Sequence, residues 1–174
     1  LYSSAASDVY KRQVVLDNFP GMRLLGYFTR PESRGSTHIR SADPATPPQM
    51  DANHFSKQLD RDRALALFKW IRRFGGQHAL SPWIVEEVGP AAKIHSDDDI
   101  LANLLQLGGT SFHIAGTAAM GVEAESVLDP QLRVRGVTGL RVCDTSIMPT
   151  LVSGNTNAPA MAIAMNAADM ILGR

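Results

Sequence analysis

The sequence predicts a mixed fold that combines α-helices with short β-strands. Short runs containing aromatic and aliphatic residues, separated by turns with proline and glycine, come first along the chain. Two stretches with apolar residues at helical spacing follow, and the last part alternates glycine-rich turns, short apolar strands and one helix rich in alanine and methionine. The 174 residues are enough for one domain or for parts of two.

The first predicted strands form a hairpin-like pair. Arg23–Thr29 (RLLGYFT) suits a short strand, because Tyr and Phe favour a pleated surface. Pro31–Gly35 (PESRG) is typical of a turn, and Ser36–Arg40 (STHIR) is predicted as the second strand. Ser41–Met50 contains three prolines and is therefore predicted as a loop.

Two helices are predicted in the middle of the chain. Asp60–Phe74 has apolar residues at helical spacing and basic residues between them, and Gly75 and Gly76 end it. Ser96–Leu107 begins with a serine that is a good N-cap. Three aspartates follow that serine, where the helix dipole favours negative charge.

The last part of the chain is predicted to contain short strands and a buried helix. Leu132–Val134 and Leu140–Val142 are short apolar strands on either side of a turn with glycine. Pro159 fits the first turn of the final helix, where a missing N–H costs nothing. This helix is apolar nearly all round, which predicts burial on most sides and a larger body around it.

Composition restricts the partners and the location of the protein. Seventeen basic residues balance seventeen acidic ones, which removes the electrostatic argument for nucleic acid or an anionic membrane as partner. The single cysteine, Cys143, excludes an internal disulfide and fits a reducing compartment, so we expect a cytoplasmic protein. Ala158–Leu172 is interrupted by polar residues and is shorter than the ~20 residues that a transmembrane helix needs.

The first residues are predicted to be foreign to the fold. Ser3–Gln13 (SSAASDVYKRQ) resembles the in-frame translation of a transposon-end adapter used in DNA sequencing libraries. We therefore expect Leu1–Gln13 to be an adapter artefact and exclude it from the prediction of the fold, with a real disordered N-terminal tail as the alternative.

Several motifs of known chemistry are absent from the sequence. None of the five histidines is paired with another histidine, a cysteine or a carboxylate at a metal-ligand spacing such as i, i+4 on one predicted helix, so we expect no metal site. The G-x-S-x-G elbow of serine hydrolases is missing. So are both glycine-rich phosphate loops, G-x-x-x-x-G-K-[ST] and G-x-G-x-x-G.

Two short stretches could contribute to a catalytic site. His113 stands beside small residues in SFHIAGT, and an imidazole can take up a proton at neutral pH. A buried histidine satisfied by hydrogen bonds explains the same pattern. Asn155, Thr156 and Asn157 precede the last helix, where they could be caps or could face an anion or a developing negative charge.

Three segments in the right order resemble one enzyme family. FHIAGTAAMG (Phe112–Gly121) is similar to a segment H-P-x-G-T-x-x-M-G, and Val127–Leu172 is similar to a long C-terminal signature. PESRGSTHIRSADP (Pro31–Pro44) is similar to P-x-S-R-G-x-V-x-L followed by D-P. These are motifs of the glucose–methanol–choline (GMC) oxidoreductases, which the chain resembles over nearly all of Val14–Arg174.

The resemblance implies a two-part architecture and FAD as cofactor. Residues 14–107 would belong to a substrate-binding domain with an antiparallel sheet and helices. Residues 108–174 would be the C-terminal part of a Rossmann-like FAD-binding domain that contributes the active-site residues. The dinucleotide fingerprint would lie in sequence outside this chain, which would be a C-terminal fragment.

The resemblance also assigns roles to individual residues. His113 matches the catalytic histidine of the family, and Asn155 matches the second catalytic position, which is His or Asn. The positions that match cofactor-binding residues are Asp144, Thr145, Thr156, Asn157 and Ala158. The sequence departs from the family pattern at Ile114, Ala115, Ala118 and Ala119, which affects the expected loop shape and substrate choice.

The function implied by the resemblance is oxidation of a small-molecule alcohol to an aldehyde or ketone by hydride transfer to FAD. The sequence leaves open whether the enzyme is an oxidase or a dehydrogenase, and which alcohol and electron acceptor it uses. A non-catalytic binding module and an inactive truncated fragment are the alternatives. We expect the 174 residues alone to be inactive.

Overall fold

The computed structural model describes residues 20–88 and 90–174, so the predicted adapter segment Leu1–Gln13 lies outside the described residues. Three α-helices and one two-stranded sheet make up the regular structure of this part. The strands are β1 (Ser36–His38) and β2 (Gln49–Asp51), and the helices are α1 (Gln58–Gly75), α2 (Asp97–Leu107) and α3 (Asn157–Leu172). Short 3₁₀ helices occur at His78–Leu80, Pro90–Lys93 and Thr145–Ile147.

The predicted strand Ser36–Arg40 is confirmed as β1, but its partner in the hairpin differs from the one predicted. β1 pairs antiparallel with β2, with Thr37 opposite Met50, so the end of the predicted loop Ser41–Met50 is a strand. The predicted strand Arg23–Thr29 does not form. This segment lies against α1 instead of entering a ladder, because β1 finds its partner on the far side of the proline-rich loop.

α1 confirms the first predicted helix and begins slightly earlier, at Gln58. It also extends one residue further than predicted, because Gly75 is its last residue and Gly76 its C-cap. Asp60 in the first turn is only 1% exposed. Its carboxylate accepts hydrogen bonds from the backbone amides of Glu32 (3.0 Å) and Ser33 (2.6 Å) and from the Ser33 hydroxyl (2.6 Å), and thereby attaches the PESRG turn to α1.

α2 confirms the second predicted helix and its N-cap. The Ser96 side chain accepts a hydrogen bond from the amide of Asp99 at 3.1 Å, which satisfies one of the amides that the first turn leaves without a partner. α2 packs against α1, with Ile100 buried and Lys69 paired to Asp97 at 2.6 Å.

The last part of the chain has its own small apolar core. Leu128, Leu132, Ile147 and Ala167 are buried together there. The two strands predicted beside the glycine turn exist only as a single bridge, Arg133 to Arg141, and two neighbouring backbone hydrogen bonds. Leu132 has a positive φ of 63°, which interrupts the extended backbone that a longer strand requires.

α3 begins near the predicted position, and Pro159 lies in its first turn. The prediction that this helix is buried on most sides is wrong for the described residues. Only Ala167 is buried, whereas Met161 is 61% and Met165 70% exposed. One side of α3 packs on the small core through Ala167 and Ile163, and the methionine side faces solvent because nothing in the described chain covers it.

The fold class is therefore mixed helix and sheet, as predicted at the coarse level. The antiparallel sheet is small, and the described residues contain no Rossmann-like unit of parallel strands and crossover helix. The division into residues 14–107 and 108–174 stays a prediction.

Candidate active site

His113 lies in a sharply turning loop that follows α2. Phe112 has a positive φ of 61° and Gly116 one of 88°, so the backbone bends on both sides of the histidine. A side chain at Gly116 would come within 3.2 Å of the Met148 carbonyl oxygen. His113 itself is half-buried, which leaves part of its ring accessible.

The loop is joined to the segment around the short helix Thr145–Ile147. The Thr145 hydroxyl donates to the carbonyl of Ile114 at 3.2 Å, and the amide of Ala118 donates to the Ser146 carbonyl at 3.0 Å. These bonds place Thr145 directly beside the histidine loop. Both bonds require the His113 loop and the segment around Thr145 to lie close together. Small residues such as Ala118 allow this close approach.

Asp144 caps the same short helix. Its carboxylate accepts the Ser146 amide at 2.7 Å. The Ser146 hydroxyl and amide, by hydrogen bonding, lower the pKa of Asp144 below its usual value and outweigh the opposing effect of burial. Asp144 is therefore an exposed carboxylate that stays ionised down to lower pH than a free aspartate, at the start of a segment that contacts the His113 loop.

The two loops singled out in the sequence meet in the structure. His113 Nδ1 lies 2.9 Å from the hydroxyl oxygen of Thr156, although the two residues are 43 positions apart. Thr156 is only 8% exposed. It occupies the N-cap position of α3, but its side chain makes no capping hydrogen bond. The predicted alternative of a simple cap therefore does not hold for Thr156, because its hydroxyl contacts the imidazole instead.

Tyr27 joins this group, which the sequence did not indicate. Its hydroxyl donates a hydrogen bond to the side-chain oxygen of Asn155, 128 positions away, and its ring centroid lies 6.3 Å from that of His113. We name Tyr27, His113, Asn155 and Thr156 the imidazole–amide cluster. No local pattern distinguishes Tyr27 from any other aromatic residue in a strand-like run, so only the three-dimensional structure identifies it.

The start of α3 presents backbone donors next to the cluster. No side chain caps the helix, and its first residues, Asn157 and Ala158, are exposed. The amide of Ala160 is the first that bonds back, to Thr156 at 2.9 Å. The preceding N–H groups have no partner within the helix and carry its positive dipole end. This end of α3 therefore suits a negatively charged or electron-rich group.

An apolar groove runs beside α3 but does not include the cluster. The groove has a volume of about 480 Å³ and is open to solvent. Its lining includes Met148, Pro159 and Ile163, whereas neither His113 nor Asn155 lines it.

Across residues 20–88 and 90–174, no group of three His, Cys, Asp or Glu side chains is arranged to hold a metal ion. In the same part of the chain, no helix combines the length and the apolar character needed to cross a bilayer. Cys143 is exposed and has a free thiol.

Comparison with known proteins identifies the family. Residues 31–164 match the family described as GMC oxidoreductase. The chain belongs to this family. Over 82% of its length, this GMC chain is 40% identical to an alcohol dehydrogenase (acceptor) of Pseudomonas putida. Over 83% of its length, it is 40% identical to the mitochondrial choline dehydrogenase of Homo sapiens.

A solved GMC-like structure supports the same conclusion. An FAD-dependent oxidoreductase from Chaetomium thermophilum superposes with a TM-score of 0.76 and 31% identity over 82% of this chain. The chain spans about a quarter of the length of these relatives: 26% of the Pseudomonas enzyme, and 25% each of the human enzyme and the Chaetomium structure. The predicted resemblance to GMC oxidoreductases is thus confirmed.

Proposed function

We propose that this GMC chain is the C-terminal part of an FAD-dependent enzyme that oxidises an alcohol to an aldehyde or ketone. The observation that supports this most directly is the contact between His113 and Thr156. It brings the imidazole next to the Asn155 amide at the exposed start of α3. A proton acceptor, an amide donor and a helix N-terminus in one place are groups that would assist alcohol oxidation beside a bound hydride acceptor.

His113 is the proposed general base. An alcohol gives up a hydride far more readily as its alkoxide, so its hydroxyl proton has to leave. If Nδ1–H donates to the Thr156 hydroxyl, the neutral imidazole presents a lone pair at Nε2, which accepts that proton. General base catalysis of this kind contributes about 10²–10⁴-fold to the rate.

Asn155 is the proposed partner of the substrate oxygen. Its side chain is exposed, and its oxygen already accepts a hydrogen bond from Tyr27. The amide NH₂ therefore remains as a donor to the oxygen that acquires negative charge. Fixing this oxygen next to His113 also restricts the orientation of the C–H bond to be broken, which lowers the entropic part of the barrier.

The residues at the start of α3 fit FAD. A reduced flavin is electron-rich along its pyrimidine edge, and the uncapped, exposed first turn at Asn157 and Ala158 offers N–H donors and the positive end of the helix dipole. We assign Asn157 and Ala158 to this edge. Bound FAD would supply the hydride acceptor for the carbinol C–H, so that the C–O bond becomes C=O while the proton passes to His113.

Asp144 and Thr145 are proposed to contact the remainder of the cofactor. Asp144 is exposed and retains lone pairs beyond those that bind Ser146, so it can accept hydrogen bonds from sugar-type hydroxyls. Thr145 uses its hydroxyl proton on the carbonyl of Ile114 and retains an acceptor oxygen. Thr156 is proposed to contact the cofactor through its backbone, because its side-chain hydroxyl already contacts His113.

Replacing His113 with alanine tests the function. In the full-length flavoprotein that we propose contains this chain, His113→Ala is expected to lower kcat by about 10²–10⁴-fold with unchanged FAD content. The measurement is anaerobic reduction of the flavin by 1-butanol, benzyl alcohol and choline as probes.

Comparison of oxygen consumption with reduction of an artificial dye distinguishes an oxidase from a dehydrogenase.

His95→Ala is the matched control, because His95 is an exposed histidine outside the imidazole–amide cluster. It is expected to retain the activity of the parent enzyme. Turnover of His113→Ala at the parent rate would refute the assignment of the base. Absence of flavin reduction in the parent enzyme with every alcohol tested would instead contradict the proposed reaction.

A further inference from the structure

Tyr27 reaches the imidazole–amide cluster from a distant part of the chain. Its hydroxyl donates to Asn155 Oδ1, and its ring is tilted by 52° to the His113 ring at 6.3 Å between centroids. The side chain is 50% exposed, so burial of its ring does not by itself account for its position. Within residues 20–88 and 90–174, the hydrogen bond to Asn155 is the polar contact that Tyr27 makes.

Two anchors on α1 hold the backbone on either side of Tyr27. Gly26 lies so close to the helix that an added Cβ would come within 3.0 Å of Ile71 and 3.1 Å of Leu67. Further along the chain, Asp60 binds the amides of the PESRG turn. The segment between these anchors is short, and this limits where the Tyr27 hydroxyl can lie.

The contact determines which end of the Asn155 amide is available. A primary amide has an acceptor oxygen at one end and a donor NH₂ at the other, and the two are similar in size. With the oxygen bound to the Tyr27 hydroxyl, the NH₂ end remains for a ligand. If the amide rotated by 180°, its oxygen would face the alkoxide oxygen of the substrate, and the two partial negative charges would repel each other.

We propose that Tyr27 is a positioning residue that keeps the donor end of Asn155 directed at the substrate oxygen. The inference rests on the proposed function of Asn155 and goes beyond it, because it assigns a role to a residue that lies outside the three motif segments quoted above. Tyr27 acts through Asn155 and does not take part in proton transfer. Its contribution should therefore disappear when the Asn155 amide is absent.

Removing the hydroxyl in the full-length flavoprotein tests this role. Tyr27→Phe is expected to lower the rate of anaerobic flavin reduction about 3- to 10-fold, the effect of losing one neutral hydrogen bond. KM for the best of the three probe alcohols should change less than twofold, because the amide donor matters most when the oxygen carries charge. FAD content and thermal unfolding should match those of the parent enzyme.

A double-mutant cycle separates positioning from a structural effect. The variants are Tyr27→Phe, Asn155→Ala and the pair of substitutions together. In the Asn155→Ala background, Tyr27→Phe is expected to change the rate by less than twofold. The control is Ser81→Ala, which removes a hydroxyl that donates to the His78 carbonyl elsewhere in the chain, and it should leave the rate unchanged.

Three outcomes would overturn the proposed role of Tyr27. A Tyr27→Phe enzyme with the parent rate would show that the hydroxyl is dispensable. Equal losses in the presence and absence of the Asn155 amide would show that Tyr27 does not act through it. A Tyr27→Phe protein without FAD or with a lower unfolding temperature would assign Tyr27 a structural role. If the parent enzyme oxidises an alcohol and His113→Ala does not, any of these results leaves the proposed function intact.

Discussion

At the residue scale, the proposed chemistry depends most on the contact between Thr156 and His113. Its hydroxyl is nearly buried and lies 2.9 Å from His113 Nδ1, where it can keep the proton on that nitrogen. A histidine that carries its proton on Nδ1 has Nε2 free to act as a base. In the proposed mechanism, Thr156 accepts a hydrogen bond from Nδ1–H and thereby leaves Nε2 available, and His113 is the proposed proton acceptor.

Thr156→Val tests this dependence with little change in volume. We expect kcat of the full-length flavoprotein to fall about 3- to 10-fold, since the loss of one hydrogen bond frees the imidazole to adopt the other tautomer. The measurement is anaerobic flavin reduction across a range of pH. Thr37→Val on the exposed strand β1 is the control and should have no effect. Unchanged kinetics in Thr156→Val would mean that the hydroxyl does not orient His113.

At the element scale, one carboxylate attaches the PESRG turn to α1. Burial by itself would raise the pKa of Asp60, but hydrogen bonds from Ser33 and Glu32 and the charge of Arg63 lower it below its usual value. A group whose pKa is lower in the folded state stabilises the fold above its unfolded pKa. That contribution is lost as the pH falls through the folded pKa.

Asp60→Asn is expected to lower the free energy of unfolding at neutral pH by about 1–3 kcal/mol, because it weakens a buried acceptor of several hydrogen bonds. The parent chain should lose stability as the pH falls below about 4, the pKa of an unfolded aspartate, and the variant should lose less there. Urea unfolding followed by tryptophan fluorescence at several pH values measures both effects. Asp62→Asn, two positions along the same helix and exposed, is the matched control. Equal stability of Asp60→Asn and Asp62→Asn would show that the Asp60 carboxylate does not stabilise the attachment of the PESRG turn to α1.

At the scale of the whole molecule, large apolar side chains remain uncovered. Met161 and Met165 on α3 and Trp83 after α1 are more than half exposed. Apolar surface of this kind usually marks a contact with another part of a protein. The chain also spans only about a quarter of the length of its GMC relatives. Both observations support the proposal that more sequence completes the FAD site.

We therefore expect the 174-residue chain alone to bind no FAD tightly and to oxidise no alcohol. The reason is that the described residues offer a helix terminus and a few side chains to the cofactor, but no glycine-rich turn for its diphosphate. Refolding the chain with excess FAD, followed by gel filtration and absorbance of the protein peak, measures retention. A stoichiometric yellow complex would contradict the expectation.

The helices could be predicted well, because their signals are local. Apolar spacing, the Ser96 cap and the terminal glycines of α1 lie within the segments that they specify, and the observed bounds agree closely. The strand prediction for Arg23–Thr29 failed because pairing depends on a partner elsewhere in the chain. β1 joined Gln49–Asp51 across a proline-rich loop, and the predicted partner packed on α1.

The amino-acid sequence by itself determined the GMC family, the three helices and the candidate roles of His113 and Asn155, since motifs and periodicity are properties of neighbouring residues. Only the tertiary structure decided that Thr156 contacts the imidazole and that Tyr27 binds the Asn155 amide. Those contacts join residues 43 and 128 positions apart, and a hydrogen bond between such residues depends on how α1, the loops and α3 pack together.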